Sequence, residues 1–290
     1  MPVAVVDIGT NTTRLLVAER DDDGGIVELE RRTIITRLGQ GVDSTGRLAD
    51  EAMDRVAEAI ASYREIIDRA GAQPIVAVAT SAMRDAENGP EFREYLNEKF
   101  GVDARTISGD EEARLTFLGA TAGRNDDRDT VVIDIGGGST EYVVGKPGDQ
   151  PSFHTSTQMG SVRYTERFLH DDPPRPEEMA EMAEAVRHTV PELSAEHAIA
   201  VAGTATSLAA IDGADDVHGY RLNLGACERI TAMLAEMSLE DRRNVKGLHP
   251  DRAPTIVAGA VILTESVRTL GVDEVEISDR DLLHGAAARA

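Results

Sequence analysis

The sequence lacks several features that mark particular classes of protein. Its 290 residues include one cysteine, Cys227, so no internal disulfide can form, and we expect this thiol to be buried and inert. No apolar run reaches the roughly 18 residues that a membrane-spanning helix needs. The first strand-like run starts at Val3, with no basic region or cleavable signal before it. We therefore expect a cytoplasmic protein that does not bind membranes.

Basic residues are scarce as well. The sequence holds 30 lysines and arginines against 52 aspartates and glutamates, which gives a formal net charge of −22. A nucleic-acid-binding surface needs the opposite balance, so we expect no nucleic-acid partner. An anionic ligand would have to be bound locally, by a few arginines, backbone N–H groups and a divalent cation.

Common catalytic signatures are also missing. The sequence contains no Gx4GK[ST] loop and no GxSxG motif, which disfavours a P-loop nucleotidase and a serine hydrolase. Its seven histidines do not show the spacing of zinc ligands. The chemistry must therefore come from other residues.

The most informative stretch that is present is TVVIDIGGGSTE, residues 130–141. An apolar strand runs through Asp134 into three glycines, and hydroxyl residues lead to Glu141. A glycine turn of this kind brings its backbone close to a ligand, and its successive N–H groups can cradle an anion. Asp134 and Glu141 are hard oxygen ligands for a divalent cation beside a bound phosphate.

A second copy of this unit occurs about half a chain length earlier, in VAVVDIGTNTTRLLV, residues 3–17. Asp7 aligns with Asp134, Gly9 with Gly136 and Arg14 with Glu141. A supersecondary unit repeated at half the chain length indicates two similar lobes whose turns could face one ligand. The alternative is that two ordinary hairpins resemble each other by coincidence.

The order of elements supports two lobes. Each half is predicted as βββαβαβα, which gives two α/β lobes with mixed sheets and a cleft between them. We place the domains at 1–123 and 124–290, with the polar stretch Arg124–Arg128 at the boundary and an acidic hairpin turn at Asp21–Gly25. We assign the final helix, 281–290, to the C-terminal lobe, with packing against the N-terminal lobe as the alternative.

Two helix starts carry further candidates. Ser108 and Glu111 fit a capping box, which leaves Glu112 as a candidate general base, although the helix dipole alone also favours a carboxylate there. Arg84 follows a strand-to-helix turn and has a planar fork suited to phosphate; a surface ion pair with a neighbouring acid is the alternative.

Taken together, the motifs resemble a known family. DIGTNTTRLL, TSAMRDAEN, ISGDEEARL, DIGGGSTE, GSVR and GTATSLAA occur in the order and spacing of the exopolyphosphatase / guanosine pentaphosphate phosphatase family, within the actin and sugar-kinase superfamily. The resemblance spans nearly the whole chain and is to the short, two-domain members. It implies two RNase H-like (actin-like ATPase) lobes and metal-assisted hydrolysis of a terminal phosphoanhydride with Mg²⁺ or Mn²⁺.

The resemblance also implies roles for individual residues. Glu112 is the catalytic glutamate, and Asp134 and Glu141 lie around the metal and the attacking water, with Asp7 as a further metal ligand. The positions implied to bind substrate phosphate are Asn11, Arg14, Arg84, Gly137, Gly138 and Ser139. Ser161 and Arg163 are candidates for a second phosphate contact on a different ground, because the GSVR motif places a glycine and a hydroxyl at a helix start.

One segment departs from the family pattern, and several alternatives stay open. The C-terminal signature usually ends GLREG, but Leu283 and His284 stand here where the arginine and glutamate are usual. The substrate is predicted to be inorganic polyphosphate, with guanosine pentaphosphate as the alternative. A polyphosphate or alarmone sensor without turnover and an ATP-dependent kinase are further possibilities. The resemblance also suggests a homodimer.

Overall fold

The chain folds into two compact units. The computed structural model describes residues 1–21, 25–124 and 127–290, so the predicted acidic turn and domain boundary lie partly outside the described residues. Unit 1 consists of Met1–Arg124 together with Asp281–Ala290, and unit 2 consists of Asn125–Arg280.

Unit 1 is built on a mixed five-stranded sheet with the order β3-β2-β1-β4-β5 over the described residues. Its strands are β1 (Val3–Ile8), β2 (Thr12–Arg20), β3 (Ile26–Ile35), β4 (Ile75–Ala79) and β5 (Arg105–Thr106). Its first helices are α1 (Val42–Thr45), α2 (Asp50–Ala70), α3 (Ser81–Asp85), α4 (Gly89–Phe100) and α5 (Gly109–Ala120). β1 pairs antiparallel with β2 and parallel with β4, and all six of its residues are buried, as expected of a central strand covered on both faces.

Unit 2 repeats this arrangement. Its strands are β6 (Thr130–Ile135), β7 (Thr140–Gly145), β8 (Phe153–Thr157), β9 (His197–Val201), β10 (Arg221–Asn223) and β11 (Glu274–Ile277), in the order β10-β11-β9-β6-β7-β8. Its helices are α6 (Ser161–Phe168), α7 (Pro176–Thr189), α8 (Ala202–Asp212), α9 (Leu224–Glu236), α10 (Leu239–Arg242) and α11 (Ile256–Thr269). Fully buried β6 takes the place of β1, antiparallel to β7 and parallel to β9.

The fold class predicted from the sequence is confirmed: the molecule has two mixed α/β sheets flanked by helices. Some short elements in the described part of the chain were not predicted. The edge strand β10 has three residues, and α1 forms inside a segment expected to be loop, between Gly41 and Gly46, both in left-handed conformations. Elements this short bury too little side chain to leave a periodic pattern in the sequence.

The last helix belongs to unit 1. α12 (Leu282–Ala287) packs on α5 with its backbone close to that of the partner helix. A Cβ atom on Gly119 would lie 1.9 Å from the carbonyl oxygen of Asp281, and one on Gly285 would lie 1.9 Å from that of Leu115. Only glycine fits at both positions, so the two glycines fix the seating of α12.

Two smaller expectations can also be compared with the structure. Cys227 is buried, and burial raises the pKa of its thiol to about 12, which agrees with an unreactive core thiol. Among the described residues, every helix is either too short or too polar to span a bilayer.

Candidate active site

The hairpin turn between β1 and β2 presents buried oxygen atoms in unit 1. Asp7 stands at the end of β1, directly opposite Arg14 on β2. The turn is tight, because the Gly9 N–H donates to the carbonyl of Thr12 at 2.9 Å. The Oδ1 atoms of Asp7 and Asn11 are both buried and accept no hydrogen bond from the described residues. Buried acceptors without donors are uncommon and indicate a place for a cation or a donor from outside the chain.

The hairpin turn between β6 and β7 has the same form in unit 2. The Gly136 N–H donates to the carbonyl of Ser139 at 3.0 Å. The carbonyls of the turn are held by α6, since the N–H groups of Val162 and Arg163 both donate to Gly137. Within the described part of the chain, no acceptor is bonded to the N–H of Gly137 or Gly138. The turn therefore has donors for an anion, as the glycine motif predicts.

Ser161 and Arg163 brace this turn. Arg163 donates from Nε to the Gly138 carbonyl at 2.8 Å, and the Ser161 N–H donates to the Gly136 carbonyl at 2.9 Å. Gly160 permits the approach, because a Cβ there would lie 2.4 Å from the carbonyl oxygen of Gly137. A phosphate contact by Ser161 or Arg163 stays a prediction.

Two carboxylates face each other across the second hairpin. Asp134 on β6 and Glu141 on β7 are direct partners in the register. Both are buried, at 8% and 1% exposure, and Glu141 Oε1 accepts from Ser156 Oγ at 2.7 Å. Side chains at such positions start about 5 Å apart, and like charges there repel each other. A divalent cation would remove that cost.

Arg14 occupies the corresponding position of the first hairpin. Its Nε and Nη2 donate to Asp7 Oδ2 at 2.8 and 2.6 Å, and its Nη1 donates to Asp281 Oδ2. Burial, together with the charge of Asp281, raises the pKa of Asp7 above its usual value, although Arg14 acts in the opposite direction. Burial also opposes ionisation of Asp281, but the charges of Arg14, Arg31 and His284 and the hydrogen bond from the Leu283 N–H together outweigh it, so the pKa of Asp281 lies below its usual value.

Asp281 is the residue that sequence reasoning missed. It lies 267 residues from Arg14 in the chain, and no local pattern links the two. The available signal was the departure of its segment from the usual GLREG signature. His284, in the same segment, forms a 2.7 Å contact between its Nε2 and Glu28 Oε1.

A helix start and a nearby helix bring Arg84 and Glu112 together. Glu112, in the first turn of α5, is 8% exposed. Arg84, in α3, donates from Nη1 to Glu112 Oε2 at 3.3 Å and to the Ile107 carbonyl at 2.9 Å. The side chain of Asp85 is more distant, with 3.9 Å between its Oδ1 and Arg84 Nε. The pair joins a buried carboxylate to a phosphate-binding type of side chain.

The glutamate before it has a different environment. Ser108 caps α5 as predicted, accepting the Glu111 N–H at 3.2 Å. The Glu111 carboxylate makes a bidentate ion pair with Arg105 at 2.8 and 2.6 Å instead of the reciprocal bond of a capping box. Hydrogen bonding to Arg105 lowers the pKa of Glu111. Glu111 is thus a structural neighbour of Glu112.

The oxygen atoms of each hairpin, taken separately, are of the type that a magnesium ion prefers. Within the described residues, no three histidine, cysteine, aspartate or glutamate side chains converge as a metal-binding group. Mg²⁺ does not need such a group, because it usually takes one or two carboxylates together with waters and substrate phosphates. The unpartnered Oδ1 of Asp7 and the opposed acids Asp134 and Glu141 supply hard oxygen donors of this kind.

Comparison with known proteins gives one consistent result. The model of the Ppx/GppA phosphatase family matches residues 16–289. Exopolyphosphatase 2 of Mycobacterium tuberculosis is 36% identical, with 98% of this chain and 97% of the relative aligned. Exopolyphosphatase 1 of Mycobacterium bovis is 32% identical, with 100% and 88% aligned.

Solved structures agree with the family match. The crystal structure of the Aquifex aeolicus member of the Ppx/GppA family is 30% identical and covers all of this chain and 97% of its own, with a TM-score of 0.84. An exopolyphosphatase-like protein of known structure is 35% identical, with 99% and 97% covered and a TM-score of 0.91.

Proposed function

This chain belongs to the Ppx/GppA phosphatase family, and we propose that it is an exopolyphosphatase that hydrolyses the terminal phosphoanhydride of inorganic polyphosphate. The observation that carries the proposal is the contact between Arg84 and Glu112. It joins a buried carboxylate, the type of group that accepts a proton from water, to a guanidinium that binds phosphate oxygens.

Glu112 is the proposed general base. It takes a proton from the attacking water, whose oxygen forms the new bond to the terminal phosphorus. The bond to the bridging oxygen breaks, and the shortened polyphosphate and inorganic phosphate leave. Because the transition state of phosphoryl transfer is loose, positioning and charge stabilisation supply most of the catalysis.

Arg84 is the proposed phosphate contact beside the base. Its Nη1 donates to Glu112 Oε2 and to the Ile107 carbonyl, and no described residue accepts a hydrogen bond from its Nη2. The planar fork can therefore bind a phosphate oxygen through Nη2 while it keeps the position of Glu112. The N–H groups of Gly137, Gly138 and Ser139, with Asn11, are proposed further contacts.

Mg²⁺, or Mn²⁺ in its place, is the proposed metal. Asp134 and Glu141 in unit 2 and, separately, Asp7 in unit 1 are the side chains proposed to bind it. When bound, the metal neutralises charge on the phosphate oxygens. The support is the chemistry of the donors: two opposed buried acids and an acceptor oxygen without a donor. The cytoplasmic location and the homodimer stay predictions.

Guanosine pentaphosphate is the alternative substrate, and a groove beside Arg84 favours it. The groove has a volume of about 650 Å³, and its polar lining includes Arg93, Asn97 and Thr106 together with the acids Glu87, Glu94 and Asp103. Carboxylates accept hydrogen bonds from a base or ribose but repel a polyanion. The groove thus suits a nucleoside better than a run of phosphates.

The two substrates can be separated by phosphate release. The purified protein is incubated with short polyphosphate or with guanosine pentaphosphate, each with and without Mg²⁺. Mg²⁺-dependent release from polyphosphate supports the exopolyphosphatase proposal, and release from the nucleotide alone supports the alternative. Binding without release from either compound would indicate a sensor and contradict both. Consumption of ATP that depends on a second substrate would indicate a kinase.

A further inference from the structure

Asp281 has two separate functions for its two carboxylate oxygens. It is the N-cap of α12, where Oδ1 accepts the Leu283 N–H at 3.0 Å. Its Oδ2 accepts from Nη1 of Arg14. The side chain is only 3% exposed, so this ion pair is shielded from solvent. One oxygen therefore starts the helix and the other holds Arg14.

Arg14 is fixed from two sides by this arrangement. Its Nε and Nη2 edge meets a single oxygen, Oδ2 of Asp7, while Asp281 holds Nη1. Because the guanidinium is planar and rigid, fixing Nη1 also sets the direction of the opposite edge. Both N–H groups on that edge go to Oδ2, and Oδ1 of Asp7 is left without a donor in the described part of the chain.

The backbone around Asp281 cannot shift easily. Its carbonyl oxygen lies against Gly119 of α5, at a distance that excludes any side chain there. The same helix carries Glu112 in its first turn. The seating of α12 on α5 therefore fixes the origin of the Asp281 side chain relative to the helix of the proposed base.

We propose that Asp281 is a positioning residue: it holds Arg14 on one oxygen of Asp7 and so keeps the other oxygen available to the proposed metal. This inference rests on the proposed function. The alternative is that Arg14 contacts the substrate phosphate directly. In that case, removal of the Asp281 charge would free Arg14 and improve substrate binding. Positioning predicts the reverse sign.

The decisive variant is Asp281→Asn, compared with Asp279→Asn. Asparagine caps helices as well as aspartate does, so α12 keeps its cap while the charge facing Arg14 is lost. Asp279 lies two residues earlier in unit 2, where it contacts His218 at 2.8 Å, and it serves as the matched control. Steady-state phosphate release from short polyphosphate is measured across Mg²⁺ concentrations.

We expect Asp281→Asn to lower kcat/KM by about 10- to 100-fold, as is typical for residues that orient a metal ligand, and to raise the Mg²⁺ concentration needed. Asp279→Asn should stay close to wild type. A lower KM in Asp281→Asn, or activity equal to the control, would overturn the inference.

A second measurement does not depend on turnover. Mn²⁺ affinity in the presence of inorganic phosphate is followed by electron paramagnetic resonance in a Glu112→Gln background. Adding Asp281→Asn should weaken Mn²⁺ binding by about 10- to 100-fold. Unchanged Mn²⁺ affinity would contradict the inference. Absence of phosphate release by the wild type would count only against the proposed function, because the Mn²⁺ measurement does not require turnover.

Arg14→Lys completes the test, because lysine keeps the charge but cannot bond to both carboxylates. If Asp281 acts through Arg14, the double variant Arg14→Lys/Asp281→Asn should lose no more Mn²⁺ affinity than Arg14→Lys alone. Additive losses would show that the two residues act independently and would overturn the inference.

If Asp281→Asn does not fold, Arg14→Lys alone is measured. Weaker Mn²⁺ binding by Arg14→Lys supports the inference, and unchanged binding contradicts it.

Discussion

The two hairpins at residues 7–14 and 134–141 share one backbone design but differ in charge. Each places an aspartate at the end of a buried strand, follows it with a glycine turn, and sets the next strand antiparallel to the first. Opposite the aspartate stands Arg14 in unit 1 and Glu141 in unit 2. The first pair combines an aspartate with an arginine, whereas the second consists of two buried acids.

This difference predicts which hairpin should depend more strongly on the proposed metal. A buried ion pair keeps its geometry without help, but two opposed buried carboxylates gain from a cation between them. We therefore expect the stronger metal dependence at the hairpin of unit 2. In unit 1 Arg14 forms an ion pair with Oδ2 of Asp7, and Oδ1 of Asp7 accepts no hydrogen bond from the described residues.

Among the variants that test the comparison of the two hairpins, Glu141→Gln has the largest expected effect. Glutamine keeps the shape and the bond to Ser156 but removes one of the two opposed charges. We expect phosphate release to fall by about 100-fold and the Mg²⁺ requirement to rise. Asp7→Asn should cost less, because Arg14 already neutralises that carboxylate. Phosphate release is measured across Mg²⁺ concentrations. Equal losses of activity in the two variants would contradict the predicted difference between the hairpins.

Arg14→Met tests the structural half of the comparison. It leaves Asp7 and Asp281 as two buried carboxylates without their shared cation. Removing one member of a buried ion-paired group destabilises a protein by about 3–5 kcal/mol. Urea unfolding of the metal-free protein should show a loss of this size, and Glu141→Gln should show none. A stable Arg14→Met variant would mean that the ion pair contributes little.

Acid sensitivity should follow Asp281. Its pKa is lower in the folded protein than in the unfolded chain, so its contribution to stability is present above about pH 4 and is lost as the pH falls through the folded pKa. The unfolding free energy of the wild type should therefore drop below about pH 4 more steeply than that of Asp281→Asn. Parallel pH profiles from urea titrations would contradict this assignment.

The smallest effect is expected from Ser156→Ala, which removes the hydroxyl that donates to Glu141 Oε1 at 2.7 Å. A hydrogen bond contributes about 1 kcal/mol, so we expect about a fivefold loss of activity at limiting Mg²⁺. Excess Mg²⁺ should restore the rate, because the carboxylate itself remains. A loss that saturating Mg²⁺ does not correct would show that Ser156 acts elsewhere.

Both hairpins could be predicted from the sequence because their signals are local. Val3–Ile8 and Thr130–Ile135 are continuous apolar runs with glycines directly after them, and such runs become central strands. The same holds for Glu112, since the Ser108 cap marks where α5 begins.

Other parts of the site could not be predicted because they depend on tertiary contacts. Arg14 forms an ion pair with Asp281, which lies at the far end of the chain. The hydrogen bond from Arg163 to the Gly138 carbonyl depends on how α6 packs against the turn. No periodicity or motif spacing encodes these contacts. The only sequence feature that pointed to this region was the departure of residues 281–285 from the usual signature.

The most direct test of the account is phosphate release by Glu112→Gln, with Glu111→Gln as its control. The two glutamates are adjacent on α5, but Glu112 contacts Arg84 and Glu111 pairs with Arg105 at the surface. We predict that Glu112→Gln binds polyphosphate and loses at least about 100-fold in turnover, as expected when a general base is removed, while Glu111→Gln stays near the wild-type rate. Wild-type turnover by Glu112→Gln, or equal losses in both variants, would contradict the role of Glu112 as the base.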